Sequence, residues 1–436
     1  MIRGLIIAAP RSSSGKTAIT LGLVRRLRDD GLRVAAAKAG PDYIDPTYLA
    51  AASGLACRNL DPWAMRPETL AGQIGAPARD ADLVICEGVM GLFDGAGRDS
   101  TGSTADLAAL TGWPVILVVD AEGQGASIAA LVEGFARHRR DVPIAGVILN
   151  RVASARHAAI LRDALAHALP EMKILGSVPR TAALDLPSRH LGLVPAGEWQ
   201  ARDRFLADAA ALLQQHVDCD AVIDLAAPAR LAEAATPAIL PPLGARIAVA
   251  CDDAFVFAYA ATIESWRQSG AALSFFSPLQ DETPPEGDAI YLPGGYPELF
   301  AGQLAGNRRF LEGLRAAARR GAAIYGECGG YMVLGHALTD AAGKAHEMAG
   351  LLPVATSFAA RKLHLGYRAV TLAAATPLGR KGATFRGHEF HYASIVEEGS
   401  GAPLFAAADA DGESLGPAGR VAGRVMGSFI HLIDRA

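Results

Sequence analysis

The stretch Ala322-Ala323-Ile324-Tyr325-Gly326-Glu327-Cys328-Gly329-Gly330-Tyr331-Met332 decides the fold of the C-terminal half. A short apolar run of strand character passes without a spacer into a cysteine flanked by glycines, and an apolar run of helical character follows. A strand that turns sharply into a helix presents the residue at the turn on strained backbone, and glycines surround it because no side chain fits there. G-x-C-x-G in this setting marks Cys328 as a nucleophile on an α/β domain.

Near the other end, Ala9-Pro10-Arg11-Ser12-Ser13-Ser14-Gly15-Lys16-Thr17 follows a strand candidate and opens a helical pattern, the context a phosphate loop requires. Backbone N–H groups of Ser13, Ser14, Gly15 and Lys16 are expected to cradle phosphate at the helix N-terminus. Lys16 would reach the β/γ-phosphates of ATP, and the Thr17 hydroxyl would bind Mg²⁺. The loop departs from the usual pattern, with Pro10 in place of the first glycine and serines in the variable stretch. Arg11 stands where partition-type ATPases carry a second lysine. A nucleophilic cysteine and an ATP site in one chain suggest that one half makes a reactive nitrogen and the other activates its acceptor.

With 436 residues, half of them apolar and a fifth charged, the chain has material for two globular domains with sizeable cores. A net charge of −4 gives no reason to expect nucleic acid or an anionic membrane as partner. Five cysteines without framework spacing point to a reducing compartment, and no apolar run approaches the roughly 20 residues that span a bilayer, so a cytoplasmic address is expected. Strand candidates at Gly4–Ala9, Arg33–Ala37, Asp82–Cys86, Pro114–Asp120, Ile144–Asn150 and Ile174–Val178 alternate with amphipathic segments at Thr17–Arg28, Ser127–Arg139 and Ser154–Ala168. That alternation indicates a parallel sheet buried on both faces. A helical stretch follows from about Glu198 to Gln215. The prolines of Thr236–Gly244 can continue neither a helix nor a central strand, which makes 236–244 the expected linker between domains 1–235 and 245–436. From Arg246 the alternation is expected to restart and run to the end.

A magnesium nucleotide needs carboxylates at the carboxyl ends of neighbouring strands. Gly40-Pro41-Asp42-Tyr43-Ile44-Asp45-Pro46 and Glu87-Gly88-Val89-Met90-Gly91-Leu92-Phe93-Asp94-Gly95 offer them. Asp42 and Glu87 follow their strands most closely and are the expected Mg²⁺ ligands. Asp45 and Asp94 lie further out, toward a second substrate, although an aspartate beside glycine or proline also serves simply as a turn former.

These two strings, together with Leu292-Pro293-Gly294-Gly295-Tyr296-Pro297-Glu298 and Gly387-His388-Glu389-Phe390-His391-Tyr392, resemble the hallmark strings of the cobyrinic and hydrogenobyrinic acid a,c-diamide synthases of corrinoid biosynthesis. The resemblance extends over nearly the whole chain. It implies an α/β architecture with an N-terminal P-loop domain related to dethiobiotin synthetase and a C-terminal class I glutamine amidotransferase domain. It also implies amidation of two peripheral carboxylates of hydrogenobyrinic or cobyrinic acid with glutamine, ATP and Mg²⁺. Asp42 and Glu87 would then serve metal binding and phosphoryl transfer, and Asp94 the handling of the substrate carboxylates. A homodimer is left open. So are a different tetrapyrrole acceptor and, from another class, a partition-like ATPase switch carrying a binding module. Arginine far outnumbers lysine and alanine is abundant, a composition that leans toward the metal-free acceptor.

Hydrolysing glutamine needs a thiolate, a base and donors for an oxyanion. Cys328 would be the nucleophile, with the helix N-terminus behind it favouring the thiolate. His431, ending Val425-Met426-Gly427-Ser428-Phe429-Ile430-His431, would be the base. The N–H groups of Gly329 and of Gly294-Gly295, Gly295 foremost, would bind the oxyanion. Class I amidotransferases orient the histidine with a carboxylate two residues later, where this chain has Ile433, so the triad is either a dyad or takes its orienting group from elsewhere, such as Glu389 or Asp434. His388 and His391 are expected to be structural.

Overall fold

A computed structural model describes residues 2–76, 80–189, 192–231 and 238–436. The chain divides into two compact units, Met1–Trp63 with Pro67–Thr236, and Ala64–Arg66 with Pro237–Ala436.

In the first unit, β1 (Arg3–Ala8), β2 (Val34–Ala39), β3 (Arg58–Leu60), β4 (Leu83–Glu87), β5 (Val115–Asp120), β6 (Ile144–Val152) and β7 (Lys173–Pro179) pair in the order β3-β2-β4-β1-β5-β6-β7. All of these pairings are parallel. Apart from Arg3, every residue of β1, β2, β4 and β5 is buried. Cover on both faces is what their near-continuous apolar runs require. The strands expected from sequence are these, shifted by a residue or two at their ends, and only the short edge strand β3 has no forerunner. Because β1 is flanked by β4 on one side and β5 on the other, the connections leaving it diverge. The crevice at its carboxyl end is a topological switch point, where open α/β sheets bind ligands. Helix α1 (Lys16–Asp29) rises from that edge, and its last turn carries Arg26 and Arg28, favourable at the negative end of the helix dipole.

The second unit is built on ten strands in the order Ala272–Phe276, Arg246–Ala250, Ala289–Leu292, Ala323–Glu327, Val425–Ser428, Ser414–Ala422, Ala402–Ala408, His364–Leu372, Thr384–His391 and Ile430–Arg435. The first five pair in parallel, the rest antiparallel. The expected α/β alternation therefore stops early: after the helix Gly329–Leu334 the remaining named elements are all strands. Tight glycine turns such as Gly412 and Gly423, both at positive φ, join strands of this part directly and leave no length for crossover helices. Val425–Ser428 pairs with Ala323–Glu327, while its continuation Ile430–Arg435 pairs with Thr384–His391. One run of chain thus joins both ends of the antiparallel part, and the sheet folds back on itself.

Of the expected linker, Thr236 and Pro237 lie outside the described residues, as do residues 232–235 of the expected first domain. Ile239, Leu240 and Leu243 are buried in the core cluster of the second unit with Trp266 and Tyr291. Trp266 donates its indole N–H to the Pro241 carbonyl at 3.2 Å.

The turn after Ala323–Glu327 is set by close packing. A Cβ on Gly330 would lie 2.0 Å from the Leu292 carbonyl oxygen and 2.7 Å from its carbon, both backbone atoms that cannot step aside. Gly330→Ala is therefore expected to destabilise the second unit by about 1–3 kcal/mol through overpacking. Its thermal midpoint should fall by about 5 °C or more. Differential scanning calorimetry checks this, and an unchanged midpoint would show that the turn tolerates a side chain.

Candidate active sites

In the first unit, the loop between β1 and α1 is tied down from both sides. Ser14 is buried, its hydroxyl donates to the Arg11 carbonyl at 2.9 Å, and Asn150 from β6 donates to the Ser14 carbonyl at 2.9 Å. Ser13 and Gly15 both take positive φ, which turns successive N–H groups inward. Helix α1 starts after Gly15 with no side-chain cap, so the amides of its first turn are available to an anion. Beside the loop lies a cavity of about 700 Å³ lined by Gly15, Ala18, Asn150, Pro179, Arg180 and Leu184 among others.

Five charged side chains meet at the carboxyl ends of β2 and β4. Thr17 donates its hydroxyl to Glu87 Oε1 at 2.5 Å, and Lys16 Nζ is 3.4 Å from the same oxygen. Lys38, absent from the candidates drawn from sequence, is buried at the centre. Its Nζ lies 2.5 Å from Asp45 and 3.1 Å from Glu87. Burial alone would lower the Lys38 pKa, but Asp45 and Glu87 outweigh it and the pKa is raised, so Lys38 stays charged. Lys16 goes the other way, lowered by burial and by the charge on Lys38. Asp42 Oδ1 accepts from the N–H groups of Ile44 and Asp45, at 2.8 and 3.0 Å. Burial and the neighbouring Asp45 raise its pKa to about 6. Burial opposes ionisation of Asp45 as well, yet Lys38 pulls its carboxyl below the ordinary range. Asp45, expected further out, is thus drawn into the buried cluster. Asp94 remains exposed, with Oδ2 accepting from the Gly91 N–H at 2.8 Å in a local turn.

Glu87 Oε2 is buried and has no hydrogen-bond partner among the described residues. That oxygen, the Thr17 hydroxyl and the nearby Asp42 are hard donors of the kind Mg²⁺ takes, so the residues present fit a magnesium ion. Arg11 is mostly exposed and pairs with Asp120 at 3.2 Å, which also holds Arg151 at 2.6 Å.

In the second unit, Cys328 adopts φ +47° and ψ −103°, a conformation costly for a residue with a side chain and characteristic of a nucleophile elbow. Its N–H donates to the Ser428 carbonyl at 2.8 Å. Gly294 stands between it and the histidine: a Cβ there would lie 3.2 Å from Cys328 Cβ, 3.1 Å from His431 Nε2 and only 2.3 Å from His431 Cε1. A Cβ on Gly329 would lie 3.0 Å from the Gly295 nitrogen, so the two glycines expected to bind the oxyanion are neighbours beside the elbow. The structure brings together Cys328, His431, Gly295 and Gly329.

Burial pushes the Cys328 thiol up, Glu298 adds to this, and the Gly329 N–H opposes it only in part. Burial thus works against the helix-stabilised thiolate expected from sequence, and the helix behind Cys328 has only six residues. Burial, reinforced by His388 and His391, lowers the His431 pKa to about 3. Both shifts favour the uncharged forms, the thiol and the imidazole.

The two carboxylates proposed to orient His431 are engaged elsewhere. Glu389 is held by Arg368 at 2.7 Å and His391 at 2.9 Å, and Asp434 accepts from Arg66 at 2.8 Å within the same unit. Ile433 is buried. Glu327, the residue before the nucleophile, places Oε2 3.8 Å from His431 Nδ1. Its sequence signal was a carboxylate inside an apolar strand, as that of Lys38 was a lysine inside a strand buried on both faces. His391 stacks on Phe429 with centroids 3.8 Å apart, and His388 lies opposite His431 in the strand register.

A model of the CobQ/CobB/MinD/ParA nucleotide binding domain matches residues 5–194, and one of the CobB/CobQ-like glutamine amidotransferase domain matches residues 246–435. The chain is similar to the hydrogenobyrinate a,c-diamide synthase of Brucella anthropi, with 55% identity over 99% of each chain. The enzyme of the same name from Rhizobium meliloti is 54% identical, again over 99% of each chain. That from Rhodobacter capsulatus is 50% identical over 99% of this chain and 98% of its own. Both halves and nearly every residue being matched, the chain belongs to the hydrogenobyrinate a,c-diamide synthase family.

Proposed function

We propose that this chain amidates the a- and c-carboxylates of hydrogenobyrinic acid, using ATP to activate each carboxylate and glutamine as the source of nitrogen. The observation that carries this is the pairing, in one chain, of a phosphate loop facing buried carboxylates with a Cys328–His431 elbow, along relatives named for that reaction over 99% of their length. Cobyrinic acid presents the same carboxylates, and incubation of the protein with each acid, ATP, Mg²⁺ and glutamine separates the two. Amidation of cobyrinic acid alone would overturn the choice of acceptor.

In the C-terminal unit, Cys328 Sγ attacks the amide carbon of glutamine while its proton passes to His431. The oxyanion takes the N–H groups of Gly295 and Gly329. His431 returns the proton to the departing ammonia, then draws one from the water that cleaves the thioester to glutamate. In the N-terminal unit, a carboxylate is a poor electrophile until its oxygen becomes a leaving group. Its attack on the γ-phosphorus releases ADP and gives an acyl phosphate, and ammonia then displaces phosphate. The amides of Ser13, Ser14, Gly15 and Lys16 hold the phosphates, Lys16 Nζ meets the charge developing on the transferred group, and Lys38 keeps Glu87 and Asp45 in place. Mg²⁺ held by Thr17, Asp42 and Glu87 would supply neutralisation of the β/γ-phosphate charge. The cavity beside the loop is assigned to the nucleoside. Asp94 and Asp45 are assigned to the acceptor. Among the described residues no helix is long and apolar enough to cross a membrane, and we place the enzyme in the cytoplasm.

Cys328→Ala is expected to abolish amidation with glutamine and to leave amidation with ammonium chloride intact. Loss of both in a folded variant would contradict the division into two sites. Lys16→Ala should reduce the rate with either nitrogen source by about 100-fold or more, since it removes a cation from a phosphoryl-transfer transition state. Glu87→Gln should move the Mg²⁺ requirement to higher concentration, and an unaltered magnesium titration would point to another ligand.

A further inference from the structure

Glu327 is buried to within 2% of full enclosure, an expensive place for a carboxylate unless donors surround it. Three do. Tyr291 donates its hydroxyl at 2.7 Å to Oε2, Tyr325 donates its hydroxyl at 2.8 Å to Oε1, and the Leu432 N–H reaches Oε1 at 3.1 Å. Leu432 follows His431, so this carboxylate clamps the backbone of the base strand at the base itself. Its own backbone precedes the nucleophile. Oε2 lies 3.8 Å from His431 Nδ1, while Nε2 faces the side where Gly294 and Cys328 meet.

We propose that Glu327 is the positioning residue of the glutaminase site, holding the backbone of the base strand beside His431 and, at ion-pair rather than hydrogen-bond distance from Nδ1, stabilising the imidazolium formed when Cys328 gives up its proton. This rests on the assignment of Cys328 and His431 as the reacting pair. The role is filled in other nucleophile–histidine pairs by a carboxylate hydrogen-bonded to Nδ1. Here the carboxylate comes from the strand that carries the nucleophile, where Ile433 leaves the position after the histidine apolar. The two tyrosines hold Glu327 against rotation and supply donors to its negative charge. Burial raises the Glu327 pKa to about 7, against the pull of Tyr291, the Leu432 N–H and Tyr325. His431 is also faced by His388, His391 and Glu389 from the adjacent strand, so a pH profile reports all of these groups.

The test compares Glu327→Gln, Glu327→Asp and the double variant Tyr291→Phe/Tyr325→Phe with the full-length protein. Glu327→Gln should lower kcat for glutamine hydrolysis by about 100- to 10,000-fold, the contribution of a correctly placed general base. KM for glutamine and the ammonia-dependent synthesis should stay within about threefold. Alkylation of Cys328 by iodoacetamide should shift its pH profile in Glu327→Gln, which a purely structural role would not produce, and Glu327→Asp should restore part of kcat. A kcat within threefold of the parent in Glu327→Gln would overturn the proposal. Should that variant fail to fold, the tyrosine double variant decides: a fall in kcat at unchanged KM supports the role, and an unchanged kcat overturns it. Glutamine hydrolysis retained by Cys328→Ala would overturn the underlying assignment, and the proposal with it.

Discussion

The C-terminal site depends on one close approach, the Leu292 carbonyl against the α-carbon of Gly330. A strand end and the first turn of a helix packed this tightly force the chain to turn at once, so Cys328 is left on backbone of positive φ. Two hydrogen bonds lock the turn: the Cys328 N–H to the Ser428 carbonyl and the Gly330 N–H to the Pro293 carbonyl. The second brings Pro293-Gly294-Gly295 alongside. From there the position of the base follows, because the strand that pairs with Ala323–Glu327 continues past Phe429 into the strand carrying His431.

The N-terminal unit solves a different problem, holding charge in a dry place. Lys38 is almost wholly enclosed, yet it faces Asp45 and Glu87 at ion-pair distance. Such a cluster contributes little net stability, since desolvation offsets most of the attraction, but removing one member leaves its partners uncompensated. Its value lies in placement. With Lys38 satisfied by carboxylates, Lys16 at the mouth of the loop is the cation whose charge is least supported, and its lowered pKa expresses that. A phosphate group arriving there restores the balance, so nucleotide binding and the cluster reinforce each other.

Much of this could be read from residues alone. The parallel strands of the first unit announce themselves because cover on both faces demands unbroken apolar runs, and the phosphate loop because a strand, serines, Gly15-Lys16-Thr17 and a helix come in fixed order. Cys328 was legible at the end of an apolar strand, and His431 was read at the end of another, although the structure breaks that run at Phe429 and puts His431 second in the strand Ile430–Arg435. Three things were not. Lys38 and Glu327 lie inside strands, where only the three-dimensional arrangement shows whether a charge is met by a partner. The long antiparallel part was hidden in places because strands such as Ala402–Ala408 and Ser414–Ala422 are rich in alanine and glycine, which carry weak strand preferences. The partner of His431 was sought two residues downstream and on Glu389 or Asp434, whereas Glu327, opposite Ser428 in the sheet, lies 3.8 Å from its Nδ1.

The two sites differ in their state at rest, and the difference bears on how the proposed reaction is controlled. In the synthetase cluster Lys38 and Asp45 favour each other's charged forms. In the glutaminase pair burial pushes the thiol up and the imidazole down, which favours the uncharged forms. Transferring a proton between two neutral groups separates charge in a dry site, and this is unfavourable unless both new charges are met. The Gly295 and Gly329 amides can meet the negative one only when a carbonyl oxygen is seated beside them, for it is on that oxygen that the charge comes to rest. Glu327 stands ready for the positive one. In the proposed reaction the seated amide therefore favours the proton transfer that burial alone opposes.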